Sequence, residues 1–310
     1  MSAPAFPRTG TRGHYESYYL RAVDAEAARG VWIRYTVLRR PGGAPAGSLW
    51  CTLWDAAVGP PVAVKSTPGL AVAGDWLEIA GARFGGAAVR GSLASGPHSA
   101  AWELTVSQAL PPLRHLPNER LYGAPLPRTK LESPAPAAHI SGTVEADGRR
   151  LELDRWIGML GHNWGSQHAE RWLWLHGIGF RGAKDAWLDL AIGRVRIGRM
   201  TTPWIANGAL QLDGRRRRLG GLRAAVAVEA RPGAAEVALG DVRLRVSAPL
   251  DRTVAWVYSD PRGGEHRSAN CSIAAMELDA GGRRLATAHG GVYELGEREL
   301  GVRVAPFPDP

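Results

Sequence analysis

A glutamate placed two residues after a histidine and two before an aromatic ring occurs twice in this chain. The first copy is His14-Tyr15-Glu16-Ser17-Tyr18-Tyr19 and the second His168-Ala169-Glu170-Arg171-Trp172-Leu173. Period-two spacing in an extended chain sends alternate side chains to opposite faces, so His168, Glu170, Trp172, Trp174 and His176 share one face of a strand. Burying ionisable groups is costly unless they are paired or neutral. Such groups among large aromatics therefore point to a binding cavity, with Gly161-His162-Asn163-Trp164-Gly165 just upstream.

Competing chemistries fit less well. His162, His168 and His176 with Glu170 are residue types that suit zinc or iron, but their spacings match no metal signature. Hydrogen-bonded histidines are the better reading, and no metal or other cofactor is expected. Gly177-Ile178-Gly179-Phe180-Arg181-Gly182 spells GxGxxG. A dinucleotide fingerprint opens a helix, whereas a β pattern resumes at Ala186, so the glycines are assigned to a bend. No nucleophile elbow, P-loop or catalytic-cysteine context occurs. Most of the 12 tryptophans are read as core or rim fillers, with Trp164, Trp172 and Trp174 set apart by the acid and histidine beside them.

The elements that must position these residues read as strands. Short alternating or apolar segments such as Val31–Leu38, Ser48–Trp54, Ala101–Ser107, Ile140–Ala146 and Val242–Val246 recur between Gly, Pro and Asp-Gly punctuation. Asp147-Gly148 predicts a hairpin, and no window carries a clean 3.6-residue apolar stripe. The repeated motif, and the tetrads opening at Trp32 and Trp187 at nearly the same offset, predict one architecture used twice. The fold class is all-β: two antiparallel β-barrel domains related by internal duplication. Residues 1–12 are expected to form a flexible tail, 13–165 the first barrel and 166–310 the second. The proline-rich stretch 111–136 is expected to be a long ordered loop or lid. The strand around Trp174 is apolar on its other face too, through Leu173 and Leu175, which places it at the seam between the halves.

Composition sets the outer bounds. At 310 residues and 45% hydrophobic content the chain can bury two cores. Its +9 charge comes almost wholly from arginine, and the dense run Arg215 to Arg218 follows a turn at Asp213-Gly214, where a solvated face is the expectation. No nucleic-acid partner is expected; a transient membrane-surface contact and the oligomeric state stay open. Cys51 and Cys271 are too few for a disulfide framework and read as reduced thiols. With no secretory h-region or long apolar span, a cytoplasmic location is expected.

Asn163-Trp164-Gly165, then Trp172-x-Trp174, then Phe180-x-Gly182-Ala183 resembles the NWG…WxW…FxGA segment of tocopherol cyclases, and Tyr15-Glu16-Ser17-Tyr18-Tyr19 resembles their FEGWY segment. Trp164-Gly165-Ser166 with Trp172 and Trp174 is similar to the carotenoid 1,2-hydratase and AttH-like proteins, whose relatives include Diels–Alderases. Gly161 and Asn163 stand where the hydratases carry acidic residues. The resemblance implies a lipocalin-like pair of barrels and chemistry on a hydrophobic prenyl or polyene small molecule. In that scheme Glu16 or Glu170 is a neutral acid that protonates an alkene, with His176 the third candidate catalytic group. Tyr18, Asn163, Trp164, His168, Trp172 and Trp174 would contact the substrate, the aromatic faces stabilising a carbocation. A shape-driven pericyclase and a non-catalytic lipid or pigment carrier are the alternatives.

Overall fold

The computed structural model describes residues 4–8, 12–303, 305 and 307. Strands dominate because the sequence alternates. In His98–Ser107 the residues Ala100, Trp102 and Leu104 are buried while Ala101, Glu103 and Thr105 are exposed. In Val242–Ser247 the valines and Leu244 are buried and Arg243, Arg245 and Ser247 exposed. Both Asp-Gly pairs turn hairpins with φ positive at each residue, 46° and 75° at Asp147-Gly148 and 50° and 72° at Asp213-Gly214. That is the type I′ geometry whose twist matches the flanking strands.

The strands form two antiparallel barrels. In the first, an eleven-stranded sheet, the strand Arg149–Gly165 returns to pair with His14–Asp24 and closes the ring. The second, a ten-stranded sheet, is nearly closed, with free edges at Arg215–Gly220 and Val226–Arg231. Each barrel is wound alike. His14–Asp24 lies between Arg29–Arg39 and Arg149–Gly165, and Arg171–Gly177 lies between Trp187–Arg194 and Arg283–Glu297.

The sequence echo nevertheless does not map residue onto residue. Tyr18 pairs with Tyr35 in the first barrel, but Trp172, its counterpart in the repeat, faces Gly193 rather than Leu190. His14 opens a strand while His168 precedes one. Barrel winding is shared and register is not, because register follows each barrel's own pattern of buried side chains.

The barrels meet along their first strands. All of His14–Val23 is buried, as are Leu173–Gly177, so each strand is covered on both faces. Contact is close enough that a Cβ on Gly30 would lie 2.8 Å from Ile273, and one on Gly179 2.8 Å from Ile157.

Two expected boundaries move. The proline-rich loop ends by Arg128, since Thr129–Ala146 is a strand that takes Pro134 and Pro136 through register shifts. Proline cannot donate to the ladder, and a bulge removes the need. The N-terminal tail is partly built in. Phe6–Arg8 form a 3-10 turn and Phe6 is in the core, because a buried carboxylate beneath it takes the N–H groups of Ala5 and Phe6. Residues 1–3 and 9–11 lie outside the described residues. Cys51 and Cys271 are buried free thiols. The GxGxxG glycines follow the strand Arg171–Gly177 through a turn with Gly179 and Gly182 at positive φ, and no helix follows. Among the described residues no helix is long and apolar enough to cross a membrane.

Candidate functional site

Parity along His14–Asp24 sorts its side chains. Tyr18 packs on Trp76, Phe84 and His162 inside the first barrel, and Glu16 points the same way. Tyr15, Tyr19 and Arg21 point across the seam, where Tyr15 stacks on His168 at 3.9 Å and Tyr19 meets Trp174 edge-on at 5.2 Å. Two glycines make room for this arrangement. The ring of Tyr19 lies over Gly161, its cross-strand partner, and the indole of Trp172 lies over Gly296; a Cβ at either glycine would come within 2.1 Å of the ring.

A cavity of about 410 Å³ opens between these faces, within the roughly 300–1,000 Å³ usual for small-molecule sites. Tyr15, Tyr19 and Trp32 of the first barrel and Trp172, Trp174 and Tyr258 of the second form its aromatic wall. Leu116, Pro117, Leu121, Leu126 and Pro127 of the proline-rich segment add an apolar side. Of the lining residues, Leu126, Ile197 and Leu222 are also strongly exposed, giving the mouth an apolar rim.

A carboxylate faces this cavity from the final strand of the second barrel. Glu294, on the final strand directly opposite Trp174, is 8% exposed. It accepts the Trp172 indole N–H at 3.0 Å and the Asn270 amide at 3.1 Å. Both donors are neutral, and among the described residues no cation pairs with it at salt-bridge distance. Tyr19, which also lines the cavity, has its phenol pushed well up by burial and then by the Asp189 and Glu294 carboxylates.

Beneath the cavity floor Asp189 anchors a buried network. It accepts the Ser133 hydroxyl at 2.5 Å and the Trp174 indole N–H at 3.0 Å, and lies 3.3 Å from His115 Nε2. Burial alone would raise its carboxyl, but His115 and the Ser133 hydroxyl hold it far below the usual range. His115 Nε2 lies 3.2 Å from the Ser133 oxygen, but the hydroxyl donates its proton to the closer Asp189 carboxylate, and His115 Nδ1 donates to the Asn207 carbonyl at 3.1 Å. This is not the geometry of an activated nucleophile, in which the imidazole takes the hydroxyl proton.

The residues expected to act are distributed differently from their sequence pattern. His168, Glu170, Trp172, Trp174 and Asn163 line the cavity. Asn163 keeps a buried Oδ1 without a hydrogen-bond partner among the described residues. Glu170 is bound by Arg196 at 2.8 Å and Arg298 at 3.2 Å. Glu16, Tyr18, Trp164 and His176 do not line it.

Glu16 instead sits in the first barrel as part of a charged stack. Its Oε1 is 2.7 Å from His162 Nε2, and the other His162 nitrogen is 3.2 Å from Glu132. Tyr18 and Trp164 sandwich the imidazole at 4.0 and 4.3 Å. Burial would raise the Glu16 carboxyl, but hydrogen bonds from His14 and His162, the His162 charge and the Ala5 N–H outweigh it and bring it down to about 2. The expectation of a protonated acid at Glu16 is therefore corrected, since every lone pair there meets a donor.

His176 is corrected likewise. It is fully buried at the seam, where its Nδ1 accepts from Arg21 at 3.1 Å and its Nε2 donates to the Pro136 carbonyl at 2.9 Å. Burial and the neighbouring guanidinium lower its pKa to about 4, so it is a neutral strut. Tyr19 and Asp189 escaped the sequence reading because they sit in the repeated segments at positions where the two copies differ, and Glu294 and His115 because they lie outside those segments. Only strand pairing brings Glu294 opposite Trp174.

Two solved structures match nearly end to end. A candidate AttH of Nitrosomonas europaea has TM-score 0.56 and 15% identity over 96% of this chain and 98% of its own. Kievitone hydratase from Nectria haematococca has TM-score 0.57 and 8% identity over 94% and 90%. The chain shares their fold. Two uncharacterised Mycobacterium tuberculosis proteins, MT0513 and Rv0493c, are each 27% identical over 313 residues, covering 98% of this chain and 91% of theirs. No family model matches the chain.

Proposed function

We propose that the protein is a hydratase-type enzyme that protonates an alkene of a hydrophobic prenyl- or polyene-like molecule held in the seam cavity. The carrying observation is Glu294: a carboxyl group in an aromatic wall, held only by neutral donors. A carboxyl so placed can exchange a proton with a bound substrate, whereas Glu170 is paired with two guanidinium groups and Glu16 with two histidines. The fold shared with a hydratase and a candidate AttH supports the reading.

In this scheme the Glu294 proton passes to one alkene carbon, and the π electrons form the new C–H bond. The cation left on the neighbouring carbon is stabilised by the faces of Trp172 and Trp174, each contact contributing up to about 2 kcal/mol when desolvated. Water then adds to the cation and loses a proton back to Glu294, giving a tertiary alcohol. An internal hydroxyl adding in place of water gives a ring. Burying ten methylene groups favours binding by about 8 kcal/mol before ordering costs, so the apolar wall supplies affinity. The wall's shape must fix the reacting conformation.

The test is mass spectrometry of small molecules that co-purify with the protein, followed by turnover of the identified class in D₂O. One deuterium on the protonated carbon is expected, with turnover lost and binding kept in Glu294→Gln. Turnover without deuterium uptake would assign a pericyclic reaction. Binding with no turnover by the unmodified protein would assign a carrier.

A further inference from the structure

Below the cavity wall a second group of side chains is unclaimed by this chemistry. His168 comes from the linker between the barrels, and Asp260 and His266 flank the hairpin that joins Val254–Ser259 to Glu265–Ala280. One ligand-type atom of each lies within 4.8 Å of the other two. We infer that His168, Asp260 and His266 form a binding site for a first-row divalent cation of the zinc class.

Three observations carry this. First, His266 is fully buried, and among the described residues neither of its ring nitrogens has a hydrogen-bond partner. An imidazole always presents a donor or acceptor at each nitrogen, so a buried ring with both unmet is anomalous in a folded core. Metal ligation would satisfy one nitrogen. Second, the spacing suits coordination. Asp260 Oδ1 is 2.9 Å from His168 Nδ1, and Asp260 Oδ2 is 3.8 Å from His266 Nδ1. Ligand bonds of about 2.0–2.2 Å in a tetrahedral shell put ligand atoms roughly 3.3 Å apart, between those two distances. Third, the donor set is right: two imidazoles and a carboxylate suit zinc, and also iron, cobalt and nickel.

The surroundings hold the ligands in place. His168 is stacked on Tyr15, and its backbone N–H also donates to Asp260 at 2.8 Å. The nearby Arg298 is bonded to Glu170, so its charge is offset. Three protein ligands leave a coordination position open, and His168 also lines the aromatic cavity. This inference stands whether or not the cavity hydrates an alkene, because its readout is metal binding alone.

The experiment is titration of the chelator-dialysed protein with Co(II), followed by visible ligand-field absorption and elemental analysis, with Zn(II) as competitor. One equivalent of Co(II), displaced by one of Zn(II), is expected. His266→Ala and His168→Ala should each weaken binding by more than the roughly 10- to 100-fold that loss of a mere supporting group costs. His98→Ala, which removes an exposed histidine, should leave it unchanged. If an alanine variant fails to fold by circular dichroism, the matching glutamine variant replaces it. Absence of stoichiometric binding by the unmodified protein overturns the site, as does binding unchanged in the His266 or His168 variant.

Discussion

Arg21 of the first barrel donates to Nδ1 of His176 of the second at 3.1 Å. The same guanidinium, with no exposed surface, donates to the carbonyls of Ser272, Gly290 and Gly291 at 2.8, 3.0 and 3.2 Å. Burial lowers its pKa to about 9, which still leaves it charged at neutral pH. One side chain thus satisfies three carbonyls and a neutral imidazole of the opposite barrel.

Arg21→Met removes that cation and its bonds to these acceptors, of which the Gly290 carbonyl keeps the Ile178 N–H. A loss of about 3 kcal/mol is expected, since each buried unsatisfied group costs roughly 1–3 kcal/mol. Urea unfolding measures it. A change under about 0.5 kcal/mol would mean that apolar packing alone holds the barrels together.

Stability should be highest in weakly acidic solution. The Glu16 carboxyl falls from its ordinary 4.5 to about 2 on folding, so its contribution is present above pH 4.5 and lost as the pH drops from there through 2. A shift of that size corresponds to about 3 kcal/mol. His162 runs the other way. Burial disfavours its imidazolium, but Glu132 and Glu16 outweigh burial and raise it above 6.5. Its contribution is full below 6.5 and lost as pH rises through the folded value. Melting temperatures of Glu16→Gln across pH 3–9 should show a flattened acid limb and a weakened alkaline one. A curve parallel to that of the unmodified protein would refute the coupling.

Gly296→Ala is a test of the aromatic wall. The added methyl would lie 2.0 Å from the Trp172 indole, which must then shift and release its bond to Glu294. Overpacking of this kind costs about 1–3 kcal/mol, and binding of an apolar fluorescent probe should fall at least about tenfold. Unchanged tryptophan emission and probe binding would show that Trp172 is free to move.

The Arg215–Arg218 run fastens the proline-rich segment. Arg216 donates to the carbonyls of Pro111 and Pro112 and lies over the Trp187 ring, and Arg218 donates to those of His115 and Leu116. Arg216→Ala with Arg218→Ala should therefore speed limited proteolysis within 111–128, read by mass spectrometry of the fragments. Cleavage at the original rate would mean that apolar contacts alone secure that segment.

What the sequence determined by itself is what local periodicity and turn chemistry carry. Alternation in segments such as His98–Ser107, and the two Asp-Gly pairs, specify strands and hairpins without reference to distant residues, and a strand apolar on both faces had to lie between layers. The NWG…WxW stretch likewise led to Asn163, Trp172 and Trp174, which do line the cavity. Parity alone cannot say which face of a doubly buried strand meets the cavity. The pattern singles out Tyr18, yet Tyr15 and Tyr19, of the opposite parity, are the residues on that side. Nor can a linear pattern reveal a partner far along the chain. Glu16 meets His162, which in turn meets Glu132, His176 meets Arg21, and Glu294 stands opposite Trp174, each across strands remote in sequence. A carboxylate's state depends on the donors around it, and those are delivered by register and by the packing of one barrel on the other. Only the tertiary structure, therefore, decided that Glu16 is a buried carboxylate, that His176 is a neutral strut, and that Glu294 is the carboxyl group facing the cavity with neutral partners alone.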